Sequence, residues 1–221
     1  RQLIKDFEES RGGAPQFLFN ITMQNHGGYY ASDYEWPVCV HEVSPVNSYD
    51  ESVIDYESSV HMADESVRQL ISYFETVDEP TVVLFFGDHE PRLSNEFYSS
   101  WFTDENDLDL ETTAQLHKTP FFIWGNYNLN TESIQKGSVV SLNYLSTVLF
   151  QTAGVQLSPY QEDLADLRME HPVITARYLT TAFGDKVGTA PSAFTDSIRE
   201  YQWLQYNCVF DRAHRIPGFY S

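Results

Sequence analysis

Basic residues are scarce in this sequence: 13 Lys and Arg stand against 32 Asp and Glu in 221 residues, a net charge of −19 at neutral pH. No basic patch interrupts that balance, so nucleic acid and anionic membranes are poor partners for the surface. An anionic substrate would need a cation in the site. Cysteine is also rare. Cys39 and Cys208 form one disulfide or remain two thiols, and their spacing matches no zinc motif. No apolar run approaches the roughly 18 residues of a membrane-spanning helix, and no basic-then-apolar leader follows Arg1. These residues therefore read as a soluble chain, a piece of something longer whose export signal or anchor lies upstream. Internal repeats, low-complexity tracts and clear linkers are missing as well. What is present, 42% apolar and 15% aromatic residues, suffices to bury a core, and a single domain over residues 1–221 is expected.

The strongest signal is Val82–Phe86, an unbroken apolar run with no polar residue to mark a solvent face, which predicts a strand covered on both sides in an α/β sheet. Gly87 ends it, and Asp88 and His89 follow at the edge where ligands collect in open parallel sheets. A carboxylate beside an imidazole suits a divalent metal such as zinc or manganese. The same logic recurs earlier. Phe17–Met23 is short, apolar and β-prone, and it runs into Gln24, Asn25, His26, Gly27 and Gly28. Two strand tips, each carrying a histidine, point to one shared site.

Between them, residues 52–75 carry Val53, Tyr56, Val60, Ala63, Val67, Leu70, Ile71 and Phe74 at helical spacing. This helix is expected to be the right-handed crossover feeding the Val82 strand in parallel, with His61 structural. Residues 1–10 predict the end of an amphipathic helix, and residues 31–50 a loop able to wall the strand tips. His41–Glu42 lacks the second histidine of a metalloprotease helix, because Pro45 stands there. The acidic run Asp104–Asp109 lacks the glycine of a calcium loop and reads as solvated. Thr119–Asn126 predicts a third buried strand ending in Gly-Asn, with His117 and Lys118 at its start. Residues 141–153 predict a helix stopped by Gly154 in a left-handed cap. From about 155 the chain reads as irregular with helical pieces, ending in a helix over residues 198–211.

Those residues resemble the lipoteichoic acid synthase family, sulfatase-like phosphoglycerol transferases of the alkaline phosphatase superfamily. Thr22-Met23-Gln24-Asn25-His26-Gly27 is similar to that family's T-M-x-N-H-G segment, and Phe86-Gly87-Asp88-His89 to its Y-G-D-H motif. The helix with Asp64, the strand Thr119–Gly125 (P-x-x-I-W-G) and Gln205-Tyr206-Asn207 (Q-Y-D, here with Asn) extend the likeness over nearly the whole chain. The resemblance implies an alkaline-phosphatase/sulfatase-like α/β fold, mostly a parallel sheet flanked by helices and incomplete at its N-terminal side. It implies that Asp88 and His89 bind a divalent metal, manganese first with magnesium or zinc as alternatives, and that His26 binds the substrate's phosphate or glycerol group. The substrate would be a glycolipid or another phosphoglycerol-type envelope molecule at the extracellular face of the cell membrane, reached through an upstream membrane segment. The family's threonine nucleophile and a glutamate ligand lie well before the His26 motif, and only 25 residues precede it here. No catalytic nucleophile is therefore expected in this chain, which would be inactive alone. The alternatives are a sulfatase, a phosphoethanolamine transferase, or a non-catalytic module binding anionic glycolipid or glycan. Neither cysteine sits in the sulfatase C/S-x-P-x-R pattern.

Overall fold

A computed structural model describes residues 1–29, 37, 40, 51–101 and 109–220. The chain forms two compact units: Arg1–Thr81 with Asp88–Asp107, and Val82–Gly87 with Leu108–Ser221.

The first unit is helical. Helix α1 (Gln2–Ser10) buries one residue, Phe7, edge-on against Tyr73 and Phe74, with ring centroids 6.3 and 5.2 Å away. Arg11 ends it and spans to Glu79, Nε to Oε1 at 2.7 Å and Nη2 to Oε2 at 2.5 Å. Tyr73 and Phe74 belong to α2 (Glu51–Phe74), 24 residues and so about 36 Å long. Only the ends of its predicted apolar stripe, Val53 and Phe74, are buried; Val60 and His61 are exposed. Ser58 and Ser59, by contrast, are both fully buried, and the Ser59 carbonyl accepts from the Gln24 side-chain amide at 3.5 Å. Helix α3 (Asn95–Trp101) follows the Asp88–His89 tip.

Residues 17–23 depart from expectation. They form no ladder among the described residues, and Phe17, Phe19, Ile21 and Met23 are between 64% and 81% exposed. A strand exists only when a neighbour takes its backbone donors and acceptors. An apolar run specifies the wish for a neighbour, not the neighbour.

In the second unit, β1 (Val82–Phe86) pairs with β2 (Phe121–Gly125), Val82 opposite Gly125 and Phe86 opposite Phe121, with the rings of Phe85 and Phe122 stacked at 5.4 Å. This ladder is antiparallel, as is the short pairing of β3 (Tyr178–Thr180) with β4 (Lys186–Gly188). The parallel crossover expected between residues 17–23 and β1 is thus not among the described ladders. β1 itself is half-buried rather than covered on both faces, since a two-stranded sheet leaves each strand one open edge.

Between β1 and β2 lies α4 (Leu110–Gln115), whose first turn is capped by Asp109 accepting from the Thr112 N–H at 2.7 Å. Asp109, the last residue of the acidic run, is therefore a helix cap; residues 104–108 lie outside the described part. Helix α5 (Leu145–Ala153) ends at Gly154 with φ 74°, the left-handed cap anticipated. Helix α6 (Pro159–Glu170) opens on a capping box of Ser158 and Gln161, and α7 (Asp196–Val209) on the Thr195 hydroxyl, which accepts from the Ile198 N–H. The core joins Tyr144, Leu164, Leu167, Leu179 and Ile198. Buried His171 ties this core together: its Nδ1 donates to the Thr180 carbonyl at 2.9 Å, its Nε2 meets Thr195 Oγ1 at 3.0 Å, and its own carbonyl accepts from the Tyr144 hydroxyl at 2.9 Å. Residues beyond 155 are thus an ordered part of this unit. Cys208 is a free thiol, and Cys39 lies outside the described residues.

Candidate functional site

The end of β1 is set by Gly87. Its N–H donates to the Pro120 carbonyl at 3.1 Å, and its carbonyl accepts from the Thr119 hydroxyl at 2.7 Å. A Cβ at this position would lie 3.0 Å from Thr119 Cβ, tighter than nine in ten real Cβ contacts, so any larger residue here must push Thr119 aside by a few tenths of an ångström. Because the ladder is antiparallel, β2 begins where β1 ends. The stretch that carries His117 and Lys118 therefore leads into the tip, not away from it as a parallel sheet would have it.

Beyond Gly87 the chain turns, and Asp88 Oδ1 accepts from the His89 N–H at 3.0 Å. His89 Nδ1 lies 2.8 Å from the Glu90 carbonyl, which can only accept, so Nδ1 donates, and in the neutral imidazole Nε2 is the nitrogen with the lone pair. Nε2 is 3.7 Å from Asp88 Oδ2, and both side chains are exposed.

His26 sits on a tight turn closed by its own N–H to the Met23 carbonyl at 3.1 Å. That turn is tied to α2 through the Gln24 amide and the Ser59 carbonyl at 3.5 Å, over the buried serines. Tyr29, almost fully buried, donates its hydroxyl back to the Asn25 carbonyl and packs edge-on against Tyr56 at 5.5 Å. Asn25 Oδ1 is buried with no hydrogen-bond donor among the described residues.

The segments that follow the two tips meet in one aromatic cluster. Tyr29, Val53 and Leu93 form its core, with Tyr56, Phe97 and Tyr98 packed around them. The Tyr98 hydroxyl donates to the Pro91 carbonyl, so the segment after His89 is clamped to the cluster that clamps the segment after His26. Burial pushes the Tyr29 phenol up to about 12, helped by Tyr56 and Tyr98. Burial and then the negative charge of Glu90 raise that of Tyr56. These phenols stay neutral at physiological pH and remain donors.

The sulfatase family model matches residues 1–155, more than two thirds of the chain and both histidine tips. The chain belongs to the Sulfatase family. Over its full length this sulfatase-family chain is 25% identical to a Rhizobium meliloti (strain 1021) protein named for cyclic beta-1,2-glucan modification, of which it covers 35%. Its fold is similar to that of the Streptococcus pyogenes phosphoglycerol transferase GacH, solved in complex with sn-glycerol-1-phosphate: TM-score 0.52, 17% identity, 79% of this chain and 41% of that one. The chain therefore spans about a third of the first relative and two fifths of the second. The sulfatase-like fold implied by the motifs stands, as does the likeness to phosphoglycerol transferases.

Among the predicted site residues of this sulfatase-family chain, Asp88 and His89 are in contact. His26 joins neither by a hydrogen bond or ion pair among the described residues, and shares with them only the tyrosine cluster. No group of three or more metal-capable side chains occurs among the described residues. The residues predicted to wall the tips, 31–50, lie outside the described part except 37 and 40. Sequence reading passed over the phenols of Tyr29 and Tyr98 and the Thr119 clamp. The available signal was position: each tyrosine follows its histidine by three and nine residues, where a chain leaving a strand tip must be fastened again. No described helix is long and apolar enough to cross a membrane.

Proposed function

We propose that this chain is part of a divalent-metal-dependent transferase that moves a phosphoglycerol or related phospho group on a glycan or glycolipid of the cell envelope. Asp88 and His89 are its metal ligands and His26 its substrate-binding residue. The observation that carries the reading is the Asp88–His89 pair. An oxygen and an imidazole nitrogen with a free lone pair, 3.7 Å apart, are close enough for one ion bonded to each at about 2.0–2.2 Å. The Glu90 carbonyl fixes the tautomer that leaves Nε2 available, as the outer partner of a metal-bound histidine does. Members of the superfamily generally use divalent metals. Manganese is the ion we propose, with magnesium or zinc as alternatives. Bound there, the ion would supply charge stabilisation to oxygens on phosphorus.

The remaining roles fall to the chain's own groups. His26, exposed on its turn, is free to meet the phosphate or glycerol end of a substrate. The bound sn-glycerol-1-phosphate of GacH supports a phosphoglycerol-type substrate, and the name of the R. meliloti relative supports a glucan acceptor. Two protein donors are half of a four-coordinate site. We infer that the nucleophilic threonine and a glutamate ligand come from sequence outside these residues, in a parent protein working at the outer face of the cell membrane.

Manganese titration of the 221-residue chain, followed by the loss of the free-ion paramagnetic resonance signal, tests this. Weak binding, at about millimolar ion, is expected and should vanish in Asp88→Ala. Binding unchanged in that variant refutes the ligand assignment, and phosphodiester turnover by the pure chain refutes the missing nucleophile. The family match keeps sulfate-ester hydrolysis as a second reading. Turnover of a sulfate ester but not a glycerol phosphodiester by the longer parent protein would select it.

A further inference from the structure

The basic residues of the first unit are Arg1, Lys5, Arg11, Arg68 and Arg92. Lys5 pairs with Glu9, Arg11 with Glu8 and Glu79, and Arg68 with Glu65, as cations do on so acidic a chain. Of the two without a carboxylate among the described residues, Arg1 opens α1 and Arg92 follows His89 by three positions. The Arg92 side chain is exposed and makes no hydrogen bond among the described residues, yet its backbone is held on both sides. The Pro91 carbonyl accepts from the Tyr98 hydroxyl, and Leu93, 7% exposed, lies in the core of the tyrosine cluster. That cluster also contains an unused donor. Tyr29 and Tyr98 donate to the Asn25 and Pro91 carbonyls, whereas the half-buried Tyr56 makes no hydrogen bond through its hydroxyl among the described residues. The charge of Glu90 acts on the Tyr56 phenol, so the hydroxyl belongs to the surroundings of the tip.

We propose that Arg92 and the Tyr56 hydroxyl bind the anionic phospho group of the substrate. The inference rests on the reading of the chain as a phospho-group transferase and names the side chains that hold the oxygens on phosphorus. Asp88 and Glu90 stand on either side of His89, so a phosphate reaching this tip meets two like charges. A guanidinium three residues on supplies a counter-charge that belongs to the chain itself. Three residues of chain reach at most about 11 Å, a separation that a long arginine side chain and a glycerol phosphate close together. Arginine suits the task better than lysine, because its planar fork donates to two phosphate oxygens at once. The phenol adds a neutral donor, which brings no further charge to the tip.

Titration of the isotope-labelled 221-residue chain with sn-glycerol-1-phosphate in magnesium, followed by its amide and arginine Nε–H resonances, tests this. Saturable binding is expected, with the Arg92 Nε–H among the shifted resonances. It should weaken roughly tenfold in Arg92→Gln, less in Arg92→Lys, and roughly three- to fivefold in Tyr56→Phe. Arg68→Gln removes an exposed cation that is already ion-paired and should leave the affinity unchanged. These variants alter an exposed side chain or delete one unbonded hydroxyl, so each should keep the circular dichroism of the parent. Affinity indifferent to Arg92→Gln, an equal loss in Arg68→Gln, or no saturable binding overturns the proposal. The manganese titration without phosphate does not involve these two side chains. A chain that binds manganese through Asp88 but holds glycerol phosphate no better than its Arg92→Gln variant keeps the metal assignment and loses this one.

Discussion

Replacing Gly87 by alanine probes the link between the sheet and the candidate metal ligands. The added Cβ would stand 3.0 Å from Thr119 Cβ and 3.3 Å from its Cγ2, and neither atom is the loose end of a flexible side chain. Thr119 is held by its hydroxyl to the Gly87 carbonyl at 2.7 Å, and the Gly87 N–H is held to Pro120 at 3.1 Å, so moving aside breaks a hydrogen bond. Overpacking of this kind costs about 1–3 kcal/mol. In a chain of this size that corresponds to a fall of roughly 2–12 °C in the unfolding midpoint. Since Asp88 is the next residue, manganese affinity should fall with it. Thermal unfolding by circular dichroism and the manganese titration read the two effects. Combining Gly87→Ala with Thr119→Gly removes the clashing atoms, so the two costs should fall short of adding. The reasoning fails if Gly87→Ala melts with the parent protein and binds manganese equally well, or if the double variant shows strict additivity.

Three further outcomes are expected. Tyr144→Phe leaves the buried His171 carbonyl without its donor and should cost about 1–3 kcal/mol in urea unfolding, with no effect on manganese binding. The Asp109 carboxyl is held below its ordinary value, first by the Thr112 backbone N–H. Its stabilising effect is therefore full above the unfolded pKa of about 3.9 and is lost as pH falls through the lower folded value. Melting curves of Asp109→Ala and the parent should accordingly differ at pH 7 and converge near pH 2. Tyr29→Phe removes the hydroxyl that donates to the Asn25 carbonyl beside His26 but keeps the ring on Tyr56. Hydrogen exchange at residues 24–28 should quicken several-fold while the unfolding free energy falls by about 1 kcal/mol or less.

How much of this was legible beforehand depended on the range of the interaction. The helix ends were readable because their causes are local. Gly154 stops α5 through its own left-handed backbone, and the last helix, expected over residues 198–211, runs Asp196–Val209, within two residues at each end. The Asp88–His89 pair was readable for the same reason, since adjacent residues at a strand end cannot be far apart. Burial of α2 was misread, because hydrophobic periodicity marks a face able to pack, whereas on this helix it is Ser58 and Ser59 that have no exposure.

The residues alone determined that β1 ends in a metal-capable pair, that a second histidine follows another apolar run, and that the family is one of phosphate- and sulfate-ester chemistry. Each of these is a property of neighbours in the chain or of a motif. Only the tertiary structure decided that β1 pairs antiparallel with β2, that Thr119 crowds any side chain at 87, and that residues 17–23 find no ladder among the described residues. It alone fastened both histidine tips to one tyrosine cluster. Those outcomes turn on which distant segments compete for the same backbone hydrogen bonds and the same buried volume, and no local pattern encodes the winner of that competition.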